Sequence, residues 1–191
     1  MFGIRRTKLA IGMKRLIRIV SPRRFLRRDD GSVAVEFGLV MVPFFAVMFA
    51  IMETALVFFA GQTLETAAAD ASRLIMTGQA QNHSPALTQQ TFKDAVCARI
   101  YGLFNCASGV YVDVRKYADF ASVSMASPLD ANGNLVNNFV YQAGGPGDIV
   151  VVRLFYQWPI TISLLGLNLS NMSGGNRLLV ATAAFKNEPY N

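Results

Sequence analysis

Between residues 33 and 60 the chain is apolar except for Glu36, Glu53 and Thr54. Residues 37–52 are sixteen uncharged positions in a row, a little short of the ~20 that a spanning helix usually needs. The flanking turns through Phe58, Phe59 and Ala60 restore the length. A cleavable secretory signal has an apolar core of only ~7–15 residues ending at a small-x-small site, so this run is too long for one. A membrane-spanning helix is the expected element. Pro43 lies inside it, where its missing N–H is expected to bend or loosen the helix locally.

Helical spacing continues past the apolar run. Leu64, Ala67, Ala68, Ala71, Leu74, Ile75 and Gly78 recur at three- and four-residue steps, opposite Gln62, Glu65, Thr66, Asp70 and Arg73. The stripe is rich in alanine, so it suits close approach of another backbone or packing on its own domain, and both readings stay open. A helix from residue 32 to about residue 78 would be ~70 Å long. After the polar stretch 79–83, Ser84-Pro85 reads as a cap and first-turn proline of a second helix with Leu87, Phe92, Val96, Ile100 and Phe104 on its apolar face.

Beyond Gly109 the period drops to two. Val110, Val112 and Val114 alternate with Tyr111, Asp113 and Arg115, predicting a strand with one buried face. Residues 120–125 suggest a short continuation, and residues 127–147 are a loop rich in Asn, Gly and Pro. Residues 148–158 are the strongest strand, with Val150, Val152, Leu154 and Tyr156 on one face, and residues 177–185 are another. Helices followed by a run of strands predict an α+β domain, a small antiparallel sheet packed on helix.

Charge changes the picture at the N-terminal side. The 191 residues carry net +6, which at first suggests a nucleic-acid partner. Residues 1–31 hold ten Lys/Arg and two Asp, net +8, whereas residues 32–191 hold eight Lys/Arg and ten Asp/Glu, net −2. The basicity therefore belongs to the segment preceding the apolar run, where it acts as a topology signal holding that end in the cytoplasm. No nucleic-acid partner is expected. Within it, Leu9, Ile11, Met13, Leu16, Ile17, Ile19 and Val20 interleave with Lys8, Lys14, Arg15 and Arg18. Either a short amphipathic helix on an anionic leaflet or a solvated basic tail fits that pattern.

The junction itself reads Arg27-Arg28-Asp29-Asp30-Gly31-Ser32-Val33-Ala34-Val35-Glu36-Phe37. An ionisable group inside an apolar span is a functional candidate that needs a partner. This motif, with Pro43 and Ile51-Met52-Glu53, resembles the N-terminal signature of TadE-like proteins, minor pseudopilins of the tight-adherence (Flp, type IVc) pilus. The resemblance covers about residues 28–75. It implies cleavage by a membrane prepilin peptidase between Gly31 and Ser32, which would make Glu36 the fifth residue of the mature chain. It also implies a pilin-like layout, a long N-terminal transmembrane and stalk helix packed with a second helix and a small antiparallel sheet.

Cleavage would place a new ammonium on Ser32 at the membrane edge. Two staggered subunits can then pair the ammonium of one with the Glu36 carboxylate of the next, fixing register as a buried polar pair does in a coiled coil. The alternative is that Glu36 snorkels to the cytoplasmic headgroups. Phe37 belongs to the same assembly segment. Glu53, seventeen residues on and ~25 Å along the helix, falls near the outer interface, solvated or available as a second intramembrane contact between subunits.

Cys97 and Cys106 lie outside the membrane in this topology, where oxidation is permitted, and can close a ten-residue loop. Two buried free thiols are the other reading. His83 is the only histidine, so neither acid–base catalysis nor a metal site finds partners. Asp130-Ala131-Asn132-Gly133-Asn134 lacks the terminal Glu of a calcium loop and reads as a turn. Asn168 and Asn171 open glycosylation sequons that carry little meaning in a bacterial protein.

The expected organisation is therefore a basic cytoplasmic leader at 1–31, a transmembrane helix at 32–61, a stalk helix and loop at 62–83, and an extracytoplasmic α+β domain at 84–191. The expected function is non-enzymatic and without cofactor or metal: a single-pass bacterial inner-membrane subunit for assembly of a tight-adherence pilus in surface attachment. Its expected partners are the prepilin peptidase, other pilins and pseudopilins, the inner-membrane assembly platform and the lipid bilayer. The rival reading is a permanently anchored periplasmic binding or sensor domain. An exported hydrolase, which would have to rely on His83, is the weakest.

Overall fold

A computed structural model describes residues 31–100, 102, 104–161 and 168–190. The expectations for residues 1–30 lie outside the described residues. The chain divides into two compact units at Pro43, residues 1–43 and 44–191.

The first long element, α1, runs Ser32–Met76 and continues through Pro43. In the first unit every described α1 residue is solvent-facing, including Val33, Val35, Phe37, Leu39, Val40 and Val42. An apolar surface of that extent is larger than water-soluble monomers tolerate.

In the second unit one stripe of α1 turns inward, at Ala50, Glu53, Val57, Ala60, Leu64, Ala67, Ala68, Ala71 and Ile75. These steps of three and four keep one face on the core. The helix stops at Gly78, whose φ of 76° is a left-handed conformation that favours glycine. A Cβ there would also overlap the Tyr190 ring, and the Glu188 N–H donates to Met76 O, so the C-terminal segment is packed over this helix end.

Short helices α2 (Gln79–Asn82), α3 (Gln89–Cys97) and α4 (Cys106–Gly109) follow. The second apolar helix starts later than Ser84-Pro85 suggests. Thr88 is its cap: the Thr88 hydroxyl accepts from the Thr91 N–H at 3.2 Å, and Thr91 Oγ1 accepts from the Thr88 N–H at 2.7 Å. This reciprocal pair satisfies two donors that Ser84 would leave open. Phe92 and Val96 are buried on α3, and Ile100 is buried just past its end.

Strands β1 (Val110–Tyr117), β2 (Ile149–Pro159) and β3 (Asn176–Lys186) form one antiparallel sheet in the order β1-β2-β3. The arrangement is α+β, as the sequence predicts. One sheet face, with Val112, Val114, Val150, Val152, Leu154 and Ala181, shares a core with the α1 stripe and with Phe92 and Val96. The alanine stripe thus meets its own domain. Fully burying a side chain such as Leu64 or Ile75 contributes ~1.5–3 kcal/mol.

A further expectation is corrected. Residues 120–122 form a 3-10 turn in place of a strand, capped by Asp119, whose carboxylate accepts from the Ser122 N–H. Beyond the face that the sequence singled out, β2 is buried on its other face too: Val151, Arg153 and Phe155 are covered as well as Val150, Val152 and Leu154. The loop does this. Phe139 stacks on Phe155 with ring centroids 5.2 Å apart, and residues 140–142 run along the free edge of β1, exchanging backbone hydrogen bonds with Val114. Covering an edge strand in this way blocks unwanted strand pairing.

Candidate membrane and assembly site

α1 begins at Ser32, so the Gly31–Ser32 peptide lies at the helix boundary. No heavy atom stands within 4 Å of a Cβ built on Gly31. Nothing in the described fold therefore requires glycine here. Glu36, one turn further, is exposed, and its Oε1 accepts from Ser32 Oγ at 3.3 Å. The first turn thus brings together the residues on either side of the expected cut and the carboxylate expected to answer it. Phe37 stands beside them, 66% exposed.

Glu53 behaves differently. It is only 6% exposed and accepts hydrogen bonds from the Thr161 N–H at 3.0 Å and from Thr161 Oγ1 at 3.1 Å. The carboxylate is not solvated; it is held by the segment that leaves β2. A buried carboxylate without donors would be costly, and Thr161 supplies two. The sequence carried no signal for this pairing, because Thr161 lies 108 positions away.

Cys97, at the end of α3, and Cys106, at the start of α4, are joined by a disulfide with Cα atoms 5.6 Å apart. The bridge closes the connection between the two helices and fits an oxidising compartment.

Asp113 is the residue that sequence reasoning missed. Alternation placed it on the open face of β1, yet it is fully buried. Its carboxylate accepts from Arg153 at 2.6 Å, from Arg115 at 3.0 Å and from the Val140 N–H at 3.0 Å. Burial opposes its ionisation, but the Val140 N–H and the two guanidinium groups outweigh that and hold its carboxyl below the usual carboxylate range. Arg153 also donates to Ala126 O and lies over the Phe155 ring, 5.4 Å from its centroid. The group pins the loop to the outer sheet face and is a structural centre.

His83 is exposed, with Nδ1 2.9 Å from Pro85 O. Asp130 accepts from the N–H groups of Asn132 and Asn134, both at 2.8 Å, and so closes a tight turn. Among the described residues no cluster of three or more His, Cys, Asp or Glu is placed to hold a metal ion.

The helix head and the apolar surface behind it lie in the segment that has a family match. Residues 31–73 match the family described as TadE-like protein. This segment of the chain is TadE-like. No curated protein and no solved structure matches the chain. The match runs from Gly31 to Arg73 and takes in Glu36, Glu53 and most of α1. The TadE-like helix is also long and apolar enough to cross a membrane, with mean hydropathy 2.2 over its most apolar 18 residues.

Proposed function

We propose that this chain is a minor pilin-like subunit of a tight-adherence (Flp, type IVc) pilus, cut after Gly31 and held in a bacterial inner membrane by α1. Its N-terminal side faces the cytoplasm and its α+β unit faces the periplasm. The observation that carries the reading is the first turn of α1. There the Gly31–Ser32 bond, at the helix boundary, adjoins an exposed Glu36 at the head of an exposed apolar helix. A prepilin peptidase frees the Ser32 amine. The Glu36 carboxylate of one subunit then pairs with that ammonium on a neighbouring pilin or pseudopilin, and the assembly platform receives the helix bundle. The role is structural and not catalytic, and the disulfide suits a periplasmic fold.

N-terminal sequencing of membrane-extracted protein tests this reading. A chain starting at Ser32 is expected, and an intact leader on all of the protein would point to a permanent anchor. Gly31→Ala sharpens the test. The added methyl group meets nothing among the described residues, so accumulation of precursor would report the peptidase's need for a bare backbone. An unchanged mature mass in that variant would refute processing at this bond.

A further inference from the structure

The exposed side of α1 changes character at one height. Between Phe37 and Phe59 it is apolar, with Ile51, Leu56, Phe58 and Phe59 between 50% and 70% exposed. From Gln62 onward the exposed positions are Gln62, Glu65, Thr66, Ala69, Asp70 and Arg73, five of the six polar. On the reading that α1 spans a membrane, this switch marks where the helix leaves hydrocarbon for water. The Glu53–Thr161 contact lies below it. Six residues separate Glu53 from Phe59, which is ~9 Å along the helix.

The sheet gives the same height by a separate route. Trp158 pairs across the ladder with Arg177, and Arg177 lines a groove of about 420 Å³ together with Phe58 and Gly61 of α1. Trp158 therefore stands level with the switch. From Trp158 to Thr161 is three residues, up to ~10 Å in extended chain, which matches the helical distance. Trp158, Pro159, Ile160 and Thr161 carry no charge, nor do Asn168 and Leu169, where the described chain returns.

We propose that the end of the sheet where β2 leaves toward β3 is a second lipid-contacting element, entering the outer leaflet beside α1. Ile160 and Thr161 reach the acyl region, and Trp158 sits at the headgroup boundary that tryptophan favours. Non-helical backbone is tolerated in hydrocarbon only where its polar groups are satisfied. Glu53 does this for the Thr161 N–H and hydroxyl, which accounts for a carboxylate facing inward at a height where the helix is otherwise apolar. The outer unit is thus seated in the bilayer, not carried clear of it. The partner is the hydrocarbon–headgroup boundary itself.

Trp158 is the chain's single tryptophan and so reports on this directly. The full chain is reconstituted in phosphatidylcholine vesicles brominated either near the headgroup or near the chain ends. A loss of Trp158 emission is expected, larger with the shallow bromines. A control carries Phe49→Trp with Trp158→Phe; Phe49 is ten residues below Phe59, or ~15 Å, half the hydrocarbon thickness. This control should lose emission to the deep bromines. Quenching in the control with native Trp158 untouched by either lipid would overturn the proposal and leave the spanning helix intact. No quenching of either protein would overturn the spanning helix and the proposal together.

Discussion

Glu36 and Glu53 stand near opposite ends of the same apolar run, and the fold treats them in opposite ways. Glu36 is exposed, and among the described residues its hydrogen-bond partner is the hydroxyl of Ser32 in its own turn. Glu53 is buried and takes both donors of Thr161 from the far end of the unit it belongs to. An acid in an apolar segment is expensive until something answers it. The difference separates a group that the described fold leaves exposed from one that the fold itself answers. Residue type and hydropathy are the same at both sites; only the neighbours differ.

The comparison can be broken most sharply at Glu36. Glu36→Ala should leave the fold, membrane insertion and cleavage unchanged, because the side chain supports no packing. It should abolish co-purification with other pilin subunits, since losing one member of a buried pair costs about 3–5 kcal/mol. Glu36→Gln should be milder, as an amide oxygen still accepts. Normal crosslinking between subunits in the alanine variant would show that the carboxylate is a passenger.

Next in size is a pair of substitutions on the second half of α1. Leu64 is fully buried, whereas Leu56 is half exposed on the apolar side. Leu64→Ala should destabilise the outer unit by about 2–5 kcal/mol, through lost burial and a cavity. Leu56→Ala should barely move the same thermal melt in detergent. Equal losses would mean that the buried stripe is not what holds helix to sheet.

Glu53→Ala should cost less, about 1–3 kcal/mol, by leaving the Thr161 N–H and hydroxyl without an acceptor. The expected readout is faster amide hydrogen exchange at Thr161 with protection in the centre of β2 unchanged. Unaltered exchange at Thr161 would erase the contrast with Glu36.

The smallest effect concerns acid. The Asp113 carboxyl is held below its ordinary value, so its contribution to stability is fully present above the unfolded-state pKa of ~3.9. That contribution is lost as pH falls through the lower folded value. Asp113→Asn should therefore flatten the acid limb of stability against pH. An acid limb unchanged by Asp113→Asn would place the titrating group elsewhere.

The elements were legible where two solvents meet. Residues 64–75 show helical spacing because their exposed neighbours are polar. The strands at 110–117, 149–159 and 176–186 show through alternation or β-branched density. The inward stripe in fact starts at Ala50, several turns before its pattern becomes visible. Ala50 and Val57 are flanked by Phe49, Ile51, Leu56 and Phe58, so both sides of the helix are apolar there and no contrast marks the buried one. Asp113 was hidden for the opposite reason. A polar residue on an alternating strand reads as solvated, and only the return of residues 126–142 over the sheet makes it a buried centre.

By itself the sequence determined a basic segment, an apolar helix headed by Gly31, Ser32 and Glu36, an α+β unit beyond it, and two cysteines nine positions apart. These follow from charge, hydropathy and period, which act locally along the chain. The tertiary structure alone decided that Glu53 belongs to Thr161, that Asp113 belongs to Arg153, and that the alanine stripe packs on its own sheet. Each of the three depends on which distant segment reaches a given side chain first, and a pairing across 40 or 108 positions leaves no mark in local pattern.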